Sequence, residues 1–110
     1  MIVGTTLFKL NGDPYYSPQF SRGGNSATFS IEIFQLAGAS VALACDVEHK
    51  NAEDTSWTTL VSFSPMNSPQ VQTVLGSAIK EQLRFKYNVT GLAATVGVSF
   101  NVLAPQWRPY

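Results

Sequence analysis

The strongest constraint in this chain is a period of two. Leu83, Phe85, Tyr87 and Val89 alternate with Gln82, Arg84, Lys86 and Asn88. In an extended strand successive side chains point to opposite faces, so this run makes a strip with one apolar and one polar face. The same pattern recurs. Ala27, Phe29, Ile31 and Ile33 face away from Thr28, Ser30 and Glu32; Val41, Leu43, Cys45 and Val47 face away from Ala42, Ala44, Asp46 and Glu48; and Val96, Val98, Phe100 and Val102 form a last row.

Between these rows stand turn signals: Asn11-Gly12-Asp13-Pro14, Arg22-Gly23-Gly24-Asn25, Ala37-Gly38-Ala39-Ser40, the loop Ser64 to Pro69, and Gly91. Residues 41–63 read as a hairpin with a polar loop and Trp57 at its return, and Val71, Thr73 and Leu75 mark a short strand ending at Gly76. The one stretch of helix-forming composition, Ser77 to Gln82, is too short to hold a helix alone. The chain is therefore expected to be all-β: one antiparallel β-sandwich, jelly-roll-like or immunoglobulin-like, with about seven to nine short strands.

A length of 110 residues accommodates one such domain, 1–110, able to hold a core without metal or disulfide staples. Tyr15 to Phe20 read as a short strand or an extended arm, and residues 11–25 together as an extended arm. Residues 104–110 read as a tail whose prolines, Pro105 and Pro109, keep it from a central strand position.

Only 13% of the residues are charged, against about 25% in a typical domain. Neutral surface is what assemblies bury, although Ser, Thr, Asn and Gln also serve as solvated exteriors. A formal net charge of zero argues against a nucleic-acid binder that lives on phosphate contacts. The single cysteine, Cys45, excludes an intrachain disulfide. The start Met1-Ile2-Val3-Gly4-Thr5 lacks the features of a signal peptide, and no apolar run has the length of a membrane helix. The expectation is a soluble product made in the cytoplasm, in which the sequon Asn88-Val89-Thr90 is incidental.

Catalytic chemistry has little to work with. The only histidine, His49, shares a strand face with Cys45 but lies four residues away, roughly 13 Å along the strand. That is too far for a nucleophile–base hydrogen bond, and the plainer reading is a histidine at a strand end near the surface. Asp46, Glu48, Glu53 and Asp54 crowd the hairpin without the Asp/Asn alternation and central Gly of a calcium loop, and read as a solvated hairpin tip. No enzyme, cofactor or metal site is expected. The acidic row Asp46 and Glu48 and the basic row Lys80, Arg84 and Lys86 are expected to pair across the sheet if their strands are neighbours; an anion-binding strip is the functional alternative.

The aromatics divide. Phe29, Phe85, Tyr87 and Phe100 belong to inward rows. Tyr15, Tyr16, Phe20, Trp107 and Tyr110 lie in irregular, proline-flanked segments, and with Arg108 they are the candidate partner-binding residues. They can cover the sandwich ends, anchor a partner, or form a platform for a sugar.

Two stretches carry a resemblance. The hairpin Val47 to Leu60 and the strands Leu83 to Gly91 and Val98 to Val102 look like the corresponding parts of small β-sandwich modules in phage virion proteins. Discoidin-like carbohydrate-binding domains use a similar hairpin, but this chain is shorter and lacks their terminal cysteine pair. The resemblance implies a non-enzymatic structural protein of the virion, a head decoration or minor capsid component, whose partners are itself or other virion proteins. A carbohydrate- or cell-surface-binding module is the alternative. On the first reading, removal of residues 104–110 is expected to abolish self-association while leaving the domain folded.

Overall fold

The computed structural model describes residues 3–8, 14–37, 40–90 and 97–108. Their regular structure is entirely β: β1 (Val3–Phe8), β2 (Tyr15–Tyr16), β3 (Phe20–Ser21), β4 (Ser26–Ala37), β5 (Ala42–Lys50), β6 (Thr58–Ser62), β7 (Gln70–Ser77), β8 (Gln82–Thr90), β9 (Gly97–Val102) and β10 (Gln106–Arg108). No helix of the described residues is long and apolar enough to cross a membrane. The stretch Ser77 to Gln82 makes a turn instead of a helix. Ala78 takes a left-handed φ of 54°, and the Ile79 amide donates to the Asn25 carbonyl at 3.1 Å, burying Ile79 at the end of the core.

The ten segments form eight antiparallel lanes. β2 and β3 both run along the outer edge of β8, with Tyr15 opposite Tyr87 and Phe20 opposite Leu83, so one bulged strand spans them. The bulge is held at Ser17, whose amide donates to the Phe85 carbonyl at 2.9 Å while its Oγ accepts the Phe85 amide at 2.8 Å. β9 and β10 likewise share one edge of β4, with Val102 opposite Ile31 and Gln106 opposite Thr28; one extra residue separates the two registers. β7 takes the other edge of β4.

In one sheet the order is β1, then β9 with β10, then β4, then β7; in the other it is β2 with β3, then β8, β5 and β6. Numbered along the chain, the lanes run 1-8-3-6 and 2-7-4-5, and only the hairpin β5–β6 joins neighbours within a sheet. An immunoglobulin sandwich keeps its first two strands in one sheet. Here they lie in different sheets, and the order is that of a jelly roll. Of the two expected sandwiches, the structure takes the first.

The inward rows are those the alternation marks, except that Val96 lies outside the described residues. Phe29, Ile31, Leu43, Cys45, Val47, Leu83, Phe85, Val98 and Val102 are all fully buried between the sheets. Phe29 meets Phe85 edge-on at 6.2 Å, and Phe100 meets Tyr87 at 5.0 Å. Each such large side chain contributes about 1.5–3 kcal/mol relative to exposure, which is why the pattern dictates the fold.

Candidate interaction surface

The candidate partner residues do not gather in one place. Tyr15, Phe20 and Trp107 turn toward the core: the Phe20 ring lies 5.5 Å from Phe85, and the Trp107 ring meets Phe29 edge-on at 6.4 Å. The Gly23-Gly24 turn lies against β10. A Cβ at Gly23 would come within 2.8 Å of the Trp107 ring, and one at Gly24 would overlap the Arg108 carbonyl oxygen. Arg108 is exposed beside this turn, and Tyr110 lies outside the described residues. Of the segments read as arm and tail, residues 15–16, 20–21 and 106–108 are strands of the two sheets.

Tyr16, 48% exposed, is the exception, and it opens onto the outer face of the β8 sheet. There the expected charge pairing is found in part, between Glu48 and Arg84, while Lys80 lies in the turn before β8 and pairs with Asp54. β5 and β8 are neighbours, Glu48 stands opposite Arg84 and Asp46 opposite Lys86. Arg84 Nε donates to Glu48 Oε1 at 2.8 Å. The Arg84 guanidinium also lies 4.0 Å from the Tyr16 ring centroid and 4.5 Å from that of Trp57. Trp57 takes a second cation, Lys50, at 5.3 Å. Opposite charges and aromatic faces here satisfy one another, so the row is a register-setting clamp on the sheet more than an open anion strip.

The hairpin tip is tied down in the same way. The Asn51 amide donates to Asp54 Oδ2 at 2.9 Å, the Ala52 amide to Glu81 Oε1 at 3.1 Å, and Lys80 pairs with Asp54 at 3.8 Å. These carboxylates are engaged by backbone amides and a lysine; among the described residues no three His, Cys, Asp or Glu side chains converge as a metal site. His49 differs from its expected placement. It continues the inward row of β5, is 8% exposed, and its Nδ1 accepts the Lys80 amide at 3.2 Å. Burial lowers its pKa, nearby Lys80 lowers it further, and Asp54 opposes both. Burial, and then Asp46, push the Cys45 thiol far up, so it stays protonated in the core.

The feature that periodicity did not place is the outer face of β7. Val71 and Leu75 are 61% and 58% exposed, with Thr73 exposed between them. The inward row of this strand is Gln72, Val74 and Gly76. That row is the less apolar of the two, so pattern alone does not show which one the core receives. Two contacts decide it. Gln72 Oε1 accepts the Ser64 amide at 3.0 Å and its Nε2 donates to the Ser64 carbonyl at 3.2 Å, tying β7 to the loop that leaves β6. Gly76 leaves room for Leu60 and Phe29, which a Cβ there would approach to 2.9 and 3.1 Å.

β7 is the last lane of its sheet among the described residues, and from Gln70 to Ile79 it carries neither charge nor proline. Its neighbours on this face are Thr28, Ser30 and Glu32 of β4, with Ser30 Oγ and Thr73 Oγ1 3.0 Å apart. Soluble monomers blunt such edges with lysine, proline or bulges. A second exposed aromatic, Phe34 at 49%, stands at the bulge between Ile33 and Gln35, beside a cleft of about 620 Å³. Gln35, Ser40, Asn67, Ser68 and Pro69 line it with Phe34, and among the described residues no charged one does. No protein-family model matches the chain, and no curated protein matches it at a significant level.

Proposed function

We propose that this chain is a non-enzymatic structural protein that works through protein–protein contacts, as a head decoration or minor capsid component of a phage virion. The observation that carries the reading is the unguarded β7 edge, with Val71 and Leu75 exposed on it. An edge of this kind is suited to accept a strand or an apolar face from a second copy or from another virion protein. The low charge content agrees with it. The jelly roll adds an analogy of fold, since it recurs in capsid proteins and also in lectins.

The test is solution mass by light scattering over a concentration series, with capsid binding measured beside it. Val71→Lys combined with Leu75→Lys changes only exposed positions and leaves the core intact. The expected result is self-association or capsid binding that the double variant weakens at least tenfold. A protein monomeric at every concentration and indifferent to capsids, or a variant that associates as well as the parent, overturns the reading.

One observation favours a carbohydrate-binding module instead: the uncharged cleft sets an exposed Phe34 ring beside amide and hydroxyl side chains, the chemistry that receives a neutral sugar. Calorimetric titration with a glycan panel discriminates. Binding that Phe34→Ala abolishes supports the module, and silence across the panel removes it.

A further inference from the structure

His49 is the only histidine of the chain and lies where three segments of one sandwich end meet. Its own strand, β5, leads into the turn 51–57. The turn 78–81 packs against it through the Lys80 amide, which donates to Nδ1 at 3.2 Å. β6 reaches it from the side, where Thr58 Oγ1 donates to the His49 carbonyl at 3.3 Å. With Nδ1 an acceptor, the neutral ring carries its proton on Nε2.

The charged groups around it are few. From the 51–57 turn comes Asp54, paired with Lys80 and favouring a cation; from the 78–81 turn come Lys80 itself, opposing one, and Glu81, which is occupied by the Ala52 amide. β8 places Leu83 opposite His49, and its Arg84 is paired with Glu48. β6 presents Thr58, without charge. On β5, Lys50 extends toward Asp54 and Trp57, and Cys45 is a protonated thiol. Arg22, beyond the 78–81 turn, donates to the Ile79 carbonyl at 2.7 Å.

We propose that His49 is an acid-sensitive latch: neutral, it holds the 78–81 turn against the hairpin, and protonated at Nδ1 it releases that end of the sandwich. A proton added at Nδ1 converts the acceptor into a second donor facing the Lys80 N–H, and the bond is lost. Asp54 is already engaged by Lys80 and the Asn51 amide, so the new cation finds no uncommitted carboxylate among the groups named above. The contacts that depend on the turn, Ala52 to Glu81 and Glu81 to Asn51, loosen with it. The direction follows from linkage. Folding holds His49 below its ordinary 6.5, so the closed form is fully favoured above that value and loses its advantage as pH falls from there toward the lowered midpoint. Within that window opening grows by up to about tenfold per pH unit.

The experiment is an NMR titration of the full chain from neutral pH to pH 4.5, following the His49 ring together with hydrogen-exchange protection of the Lys80, Ala52 and Glu81 amides. Protection of these amides is expected to fall from about pH 6.5 downward and to level off at the midpoint of the His49 ring, and to stay flat in His49→Gln, which keeps an acceptor and does not titrate. If protection holds while the ring titrates, or if the glutamine variant shows the same fall, the latch does not exist. Should the variant fail to fold, a fall in the parent protein that ends at the ring midpoint decides the matter alone. A fall that begins only below the ring midpoint, in the carboxylate range, also overturns it.

Discussion

At the scale of single residues, two side chains show how differently a polar group fares on the two faces of β8. Arg84 and Glu48 are 21% and 11% exposed and bond to each other, with Tyr16 and Trp57 against the guanidinium. Arg84→Met strands the Glu48 carboxylate in a half-dry site and is expected to cost about 1–3 kcal/mol in urea unfolding at pH 7. Adding Glu48→Gln to it removes the stranded charge and recovers part of that loss. Tyr87, inward and 3% exposed, is the opposite case: its hydroxyl is buried with no hydrogen-bond partner among the described residues, and burial raises its pKa. Tyr87→Phe is therefore expected to be neutral or stabilising by up to about 1 kcal/mol in the same assay.

At the scale of elements, the clean rows of β4, β5, β8 and β9 were legible because their large apolar residues recur with period two, Phe34 at the bulge of β4 apart, and one face must enter the core. The Glu48–Arg84 pair was legible only as a condition, that acidic and basic rows pair if their strands are neighbours, and the places of Tyr16 and Trp57 against the guanidinium were not legible. β7 was readable as a strand but not as to its face, because Gln72 and Gly76 are there for their fit to Ser64 and Leu60 and not for hydrophobicity. The ends were the least legible. β10 is held by a contact between distant segments, the Gly23-Gly24 turn against Trp107 and Arg108, that no local pattern encodes. Gly24→Ala sets a methyl group against the Arg108 carbonyl, and neither side of that contact is a flexible side chain. A loss of about 1–3 kcal/mol is expected, with exchange protection falling first at Trp107 and Arg108.

At the scale of the whole molecule, the class of fold was readable from turn spacing and composition, whereas the jelly-roll order was not, since it depends on which lanes pair across most of the chain. The structure also changes what a truncation means. Trp107 packs against Phe29 and β10 pairs with β4, so removing residues 104–110 takes a piece of the sandwich with it. The shortened chain is expected to melt at least several degrees lower in circular dichroism, and any loss of self-association in it reports on folding as well as on contact. The exposed pair Val71 and Leu75 gives the cleaner probe of association.

The lane formed by β9 and β10 lies between β1 and β4, yet it is the last described part of the chain to be made. β1 is made before the other described strands and, among the described residues, has no partner other than β9. It must wait until residues 97–102 have been made, beside a β4 whose second edge is equally bare until then. Sheet closure is thus postponed until β9 and β10 leave the ribosome, and a nascent chain that stalls or is cut short before residue 97 presents two sticky edges to its neighbours. The insertion of β9 and β10 between β1 and β4 is what relieves that exposure.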